Sequence, residues 1–276
     1  MNIGTKLKHL QEILVGFMDA ALKNNKMRFI LLTLLVFISC KEHKTSSITD
    51  GNVPPKSIEV NQKDSIKQDL NISKDFVLGK FNYRKDTSFI KVRTSHSSRS
   101  IFLKREAYHS FIKMYEQAKA ENINLKIISG TRNFYEQKAI WERKWKKYKS
   151  LSPINRAKKI LEYSSMPSTS RHHWGTDIDL INLNNSYFEN GRGAKEYQWL
   201  LKNANNYGFY QVYTSKNEGR KGYNLERWHW SYIPLSEKYL KFYNDNIRIE
   251  DIQGFKGAEL SKGLDVINAY VNGISK

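Results

Sequence analysis

The stretch SRHHWGTDID, Ser170 to Asp179, sets a histidine and a carboxylate seven residues apart around a glycine. Downstream, ERWHW at Glu226 to Trp230 adds a second histidine and a spare carboxylate. These are the parts of a hydrolytic metal centre. His172, Asp179 and His229 offer nitrogen and oxygen donors for one zinc ion with a fourth position left open, and Glu226 stands beside them as a base for water. Two imidazoles and one carboxylate leave such a centre net positive, which favours ionisation of water near neutrality. The chemistry this set could do is metal-assisted hydrolysis.

The same residues carry ambiguities. Asp179 lies among Ile178, Leu180 and Ile181, where a carboxylate must be paired or metal-bound to be tolerated. Asp177 shares its strand face, so it could orient a ligand histidine from behind or take the place of Asp179. His173 beside His172 raises a parallel question. Glu226 and His229 would share a face on one helical turn but point apart on a straight strand, so a turn or bulge near Arg227 is required. His9, His43, His96 and His109 lack comparable company and read as packed or surface residues.

Several elements must position these groups. Ala107, Tyr108, Phe111, Ile112, Tyr115 and Ala118 recur at three- and four-residue steps, which predicts a helix from about Lys104 to Glu121. Leu125 to Ile128 reads as a short buried strand ending at Ser129-Gly130. Asn133 with Glu136 three residues on is an N-cap signal for a helix carrying Phe134, Ile140, Trp141, Trp145 and Tyr148. Ser152-Pro153 opens another helix, to about Tyr163. Ile178 to Ile181 suggests a strand, Ala194 to Asn206 a helix stopped by Gly208, and Phe209 to Tyr213 a further strand. Thr214 to Asn224 is a glycine-rich loop, and ERWHWSYI closes the core. This mixture predicts an α+β fold around a small central antiparallel sheet flanked by helices. Asp251 to Lys276 reads as a terminal helix with Leu260, Leu264, Ile267 and Val271 as its apolar stripe.

The chain has 276 residues, 39% of them hydrophobic, enough for one substantial core with appendages. Its net charge is +19, and residues 1–40, with five basic and two acidic side chains, account for little of it. The excess suits a polyanion, whether nucleic acid, membrane face or acidic wall polymer, without choosing among them. WERKWKKYK, Trp141 to Lys149, is either a solvated helix face over buried tryptophans or a contact with such a surface; Trp174, Trp228, Trp230 and Tyr232 read mainly as core.

Phe29 to Ser39 is an apolar run preceded by Lys23, Lys26 and Arg28, too short to span a bilayer and typical of a secretory signal. It ends at Cys40, the single cysteine of the chain. Met18 and Met27 are alternative starts behind a long polar preface. FISC, Phe37 to Cys40, resembles a bacterial lipobox, which implies lipid on Cys40 and attachment to a membrane of the cell envelope. Residues 41–75 read as a solvated tether and 76–276 as the catalytic domain. With Cys40 consumed, a metal must sit on nitrogen and oxygen.

SxHxxGxxxD at Ser170, His172, Gly175 and Asp179, followed by ExxHW at Glu226, His229 and Trp230, resembles the VanY-like D-alanyl-D-alanine carboxypeptidases, which share a zinc-peptidase superfamily with lysostaphin-type peptidases and the hedgehog signalling domain. SGTRNFYEQ, Ser129 to Gln137, looks like that family's segment around a substrate-binding arginine. The resemblance covers roughly Phe76 to Pro234. It implies a hedgehog/DD-peptidase-like fold, zinc on His172, Asp179 and His229, Glu226 as the base, and Arg132 holding the peptide carbonyl or its developing oxyanion. Ser170 and Gln137 would help place the substrate, a peptidoglycan stem peptide. Asp177 departs from the family, which often has alanine there. The bond cut is open between carboxypeptidase, endopeptidase and D-Ala-D-Ala dipeptidase action. A zinc-containing wall-binding module is the non-enzymatic alternative, and Glu226 speaks against it. The secretory signal and the lack of a nucleic-acid motif speak against a nucleic-acid partner.

Overall fold

A computed structural model describes residues 72–275 apart from 218. The signal segment, Cys40 and nearly all of the tether lie outside the described residues. Ile72 is buried, and helix α1 (Lys74–Val77) is capped by Ser73.

A hairpin of β1 (Phe89–Lys91) and β2 (Phe102–Lys104) follows, then α2 (Arg105–Ala120). Of the apolar face read from the sequence, Ala107, Tyr108, Phe111 and Ala118 enter the main core with Met114, and Ile112 and Tyr115 pack against it half-buried. Each large side chain so buried contributes about 1.5–3 kcal/mol. Next come β3 (Ile127–Ser129) and α3 (Phe134–Lys147), which starts in a complete capping box between Asn133 and Glu136. Helix α4 (Pro153–Leu161) has proline in its first turn, where the missing N–H costs nothing.

A 3₁₀ turn at Arg171–Trp174 leads through Gly175 into β4 (Asp177–Leu180). Gly175 is required there. Its φ is +73°, and a Cβ would lie 2.3 Å from the Phe89 ring. Helix α5 (Gly191–Asn203) begins three residues before the predicted start, and a 3₁₀ turn at Ala204–Tyr207 ends at Gly208 with φ +75°. Strand β5 (Phe209–Tyr210) is shorter than predicted, β6 is His229–Tyr232, and α6 (Ile233–Asn246) follows.

The central sheet is antiparallel in the order β3-β4-β6-β5. The fold is therefore α+β with small antiparallel sheets. Alternation gives this sheet two chemical faces. Ile178, Leu180, Trp230 and Tyr232 belong to the main core, while Asp177, Asp179, His229 and Ser231 project the other way. A second core joins Phe134 and Trp141 of α3 and Ile160 and Leu161 of α4 to Val212, Tyr223, Phe255 and Val266.

The tail corrects the reading of a terminal helix. It packs on the body through Val266 and Val271, but as short turns and one π-helical turn, Ile267–Val271. Asp265 has φ +48°, which no continuous right-handed helix accommodates.

Candidate metal centre and cleft

The pairing of β4 with β6 sets Asp179 opposite His229, and the turn at Arg171–Trp174 brings His172 over both. One donor atom from each lies within 4.8 Å of the others, and all three side chains are buried. The rings of His172 and His229 stand edge to face, centroids 5.0 Å apart.

The donor chemistry fits a metal. His172 Nδ1 is 2.8 Å from the Gly130 carbonyl, which can only accept, so Nδ1 carries the hydrogen and Nε2 turns a lone pair toward Asp179 Oδ2 at 3.4 Å. His229 Nδ1 is 3.0 Å from Asp179 Oδ1. Its Nε2 is buried without a hydrogen-bond partner among the described residues. Burial, then the charge of Arg132, lowers the His172 pKa and keeps the ring neutral. Burial alone would raise the Asp179 carboxyl, but His172 and His229 more than offset this and hold it well below the usual range. A neutral imidazole beside an ionised carboxylate is the protonation state that metal ligation needs.

Asp177 and His173 are engaged elsewhere. Asp177 is fully buried, accepts from Arg171 Nε at 3.1 Å, and stands 3.9 Å behind His229 Nε2, outside the three-donor cluster. Arg171 also donates to Ser231 and lies over the Trp174 ring. His173 Nε2 accepts from the Ser168 N–H at 3.1 Å, and its Nδ1 donates to the Arg132 carbonyl at 2.6 Å. Burial drops its pKa to about 3, so the ring is a neutral brace.

Glu226 reaches the centre because the chain turns where the sequence required it. The His229 N–H closes onto the Glu226 carbonyl at 3.2 Å, and Glu226 Oε2 comes within 3.7 Å of His229 Nδ1. Asn185 pins this turn by accepting from the Arg227 N–H and donating to the Leu225 carbonyl. Burial, then the Asp179 charge, pushes the Glu226 carboxyl well above the usual range. A cation held in the adjoining donors acts in the opposite direction.

Arg132 Nη1 lies 3.7 Å from Asp179 Oδ2 and donates to Ser129, while its Nε donates to Gln137 Oε1 at 2.9 Å. Gln137 is 1% exposed and spends its amide nitrogen on the Ser165 carbonyl, so both its ends are engaged by protein. Ser170 is 1% exposed and does not line the cleft, and its hydroxyl has no partner among the described residues. Gln137 lines the cleft with both its ends engaged by protein, whereas Ser170 lies off the lining.

His172, Asp179, His229, Glu226, Arg132 and Gln137 line one cleft of about 820 Å³. Trp228 lines it, whereas Trp174, Trp230 and Tyr232 are core. Sequence reasoning did not find Tyr213, whose ring lies 4.4 Å from that of His229, nor Ser129, Asn185 and Lys144 on the cleft wall. Long-range partners mark Tyr213, Asn185 and Lys144 and are invisible in a linear pattern, whereas Ser129 opens the SGTRNFYEQ segment and accepts from Arg132 three residues on.

Residues 100–235 match the family profile VanY, D-alanyl-D-alanine carboxypeptidase. The chain is similar to a D-alanyl-D-alanine carboxypeptidase of Enterococcus faecalis, 26% identical over 140 residues, covering 50% of this chain and 50% of that protein. It is also similar to YodJ of Bacillus subtilis, a carboxypeptidase by inference, at 29% over 147 residues, 52% of this chain and 50% of that one. The chain thus spans about half the length of the curated relatives it matches. Among solved structures it resembles a vancomycin resistance D,D-pentapeptidase VanY with Zn(II), at 21% identity and TM-score 0.45 over 65% of this chain and 92% of that one. The LD-carboxypeptidase LdcB has 20% identity and TM-score 0.47 over 72% and 81%. Over residues 100–235 the chain is similar to the VanY-like family.

Proposed function

We propose that this chain is a zinc-dependent peptidase acting on peptidoglycan stem peptides and removing a terminal D-alanine. The observation that carries the reading is the convergence of His172, Asp179 and His229 with the Glu226 carboxyl in one cleft of a VanY-like domain. His172 Nε2, a carboxylate oxygen of Asp179 and His229 Nδ1 would hold the zinc ion. Bound there, zinc supplies Lewis acidity toward water and the scissile carbonyl.

Glu226 takes the proton of the attacking water and returns it to the leaving amine. Burial, then the Asp179 charge, favours the protonated carboxyl that Glu226 must become between the two transfers. Arg132, fixed by protein on several sides, presents its guanidinium to the oxygen on which charge develops. A structural metal site has no use for a carboxylate placed like Glu226, which disfavours a purely binding role.

The test is mass spectrometry of purified stem peptides incubated with the protein, with zinc and with a chelator. Loss of one terminal D-alanine that the chelator abolishes is the expected result. Cleavage at another stem bond keeps the chemistry but moves the specificity to an endopeptidase or dipeptidase, and no cleavage by folded, zinc-loaded protein contradicts the proposal. The same proposal holds the chain at the cell envelope through lipid on Cys40. Palmitate labelling of the expressed chain, lost in Cys40→Ser, is expected; labelling that persists in the variant contradicts it.

A further inference from the structure

Asp177 takes no part in the chemistry above, yet it lies behind the metal donors at 0% exposure. A carboxylate that deep is tolerated only where it is paired. Its pair is Arg171, 1% exposed, whose Nε donates to Asp177 Oδ2 at 3.1 Å and whose Nη2 donates to the Ser231 hydroxyl at 2.7 Å. Ser231 donates in turn to Ser236 of α6, and the guanidinium lies 4.9 Å from the Trp174 ring centre. The pair is therefore neutral, and its cation is anchored on β6 and on the turn before β4. Three atoms of this chain of contacts are buried without a hydrogen-bond partner among the described residues: Arg171 Nη1, Asp177 Oδ1 and His229 Nε2.

Strand register aims the carboxylate. Asp177 pairs with Ser231 and Asp179 with His229 on one face of the sheet, which makes Asp177 the diagonal neighbour of His229. The imidazole thus stands between two carboxylates, with Asp179 Oδ1 at 3.0 Å from Nδ1 and Asp177 Oδ2 at 3.9 Å from Nε2. The Tyr213 ring, 4.4 Å from that of His229, and the His172 ring, 5.0 Å away, leave it little room to turn.

A neutral imidazole has one hydrogen for two nitrogens. Asp179 draws it to Nδ1, the atom that ligation needs bare, and Asp177 draws it to Nε2. At 3.9 Å the second pull is that of a charge on an N–H dipole rather than a formed hydrogen bond. Ligation depends on this balance, because a hydrogen on Nδ1 has to leave before an ion binds there.

We propose that Asp177, held by Arg171, is the positioning residue for His229: it offsets the draw of Asp179 on the ring hydrogen and so presents Nδ1 to the metal. The proposal rests on the metal reading above and gives a role to the residue at which the chain departs from the family pattern.

The experiment measures zinc affinity by competition with a chelator, in wild type and in two paired variants, since removing one member alone leaves the other charged and buried. Arg171→Met with Asp177→Ala removes both charges and the acceptor. Arg171→Gln with Asp177→Asn removes the charges but keeps an oxygen opposite Nε2. The first is expected to bind zinc about 10- to 100-fold more weakly than wild type, the scale of a lost outer partner of a ligating histidine, and the second to fall between. Stem-peptide kcat at saturating zinc is expected to stay near wild type in both, a split that general damage to the core does not produce. A folded first variant with wild-type zinc affinity overturns the proposal, and so does an equal loss in the two variants. A folded wild type that holds no zinc sinks the metal reading and this proposal with it.

A second readout needs neither metal nor turnover. In metal-free protein carrying ¹⁵N-histidine, long-range proton couplings report which nitrogen of His229 bears the hydrogen, the signal being identified by its absence from His229→Gln. The share on Nε2 is expected to fall from wild type to the second variant to the first. An unchanged share overturns the proposal even where zinc affinity falls.

Discussion

Arg132 is the most tightly specified side chain beside the metal donors. Its N–H donates to the His172 carbonyl, its carbonyl accepts from His173, and its guanidinium donates to Gln137 and Ser129. Gln137 therefore acts through Arg132. Gln137→Met is expected to lower kcat by roughly tenfold with little change in KM, less than the 100- to 1000-fold that follows deletion of an oxyanion donor. Steady-state kinetics on a stem peptide checks this, and a raised KM at unchanged kcat would instead make Gln137 a substrate contact. At this scale the residue types were legible, and the choice between neighbours rested on the family spacing rather than on the residues themselves. His172 differs from His173, and Asp179 from Asp177, only through partners such as Gly130, Ser168 and Arg171. Those partners depend on the phase of a 3₁₀ turn and on strand register, which carry little signal in the chain itself.

Elements with strong local signals were read correctly: α2 from its apolar period, α3 from its capping box and α4 from Pro153. The hairpin of β1 and β2 was not read, because three-residue strands are held by pairing rather than by pattern. Helix α6 also went unread, although Pro234 in its first turn and Leu235, Tyr239 and Tyr243 at four-residue spacing mark it. The joint that matters most is Gly175, which turns the His172 segment into β4. Gly175→Ala adds left-handed strain and a clash with Phe89, together about 3 kcal/mol. Urea unfolding is expected to show that loss, with weakened metal retention, and a change below about 1 kcal/mol would mean the turn relaxes freely.

The chain carries its excess charge on the described body as well as at the N-terminus, yet among the described residues one lysine is taken inside. Lys104 is 7% exposed, lies 4.5 Å from the Phe89 ring centre and 4.7 Å from that of Phe76, and donates to Ser88 at 2.6 Å. Burial lowers its pKa to about 8, with Asp86 opposing. The unfolded chain then binds more protons than the folded one between about pH 8 and the ordinary value of 10.5, so stability contributed by this group rises with pH across that window. The full rise is about 3 kcal/mol, and below about pH 8 the slope vanishes. Unfolding free energies measured from pH 7 to 10 are expected to show the rise in wild type and a flatter profile in Lys104→Met. A parallel profile in the two proteins would show that Lys104 keeps its charge. Nothing in the sequence distinguishes this lysine, since its surroundings come from α1, the hairpin and α6.

The central claim is that Glu226 is the base beside a metal held by His172, Asp179 and His229. Its most direct test is Glu226→Gln, assayed for zinc content and for stem-peptide turnover alongside wild type. The account expects one zinc per chain in both proteins and a fall in kcat of roughly 10²- to 10⁴-fold in the variant. A fully active Glu226→Gln protein, or a wild type that binds no metal when folded, would contradict it.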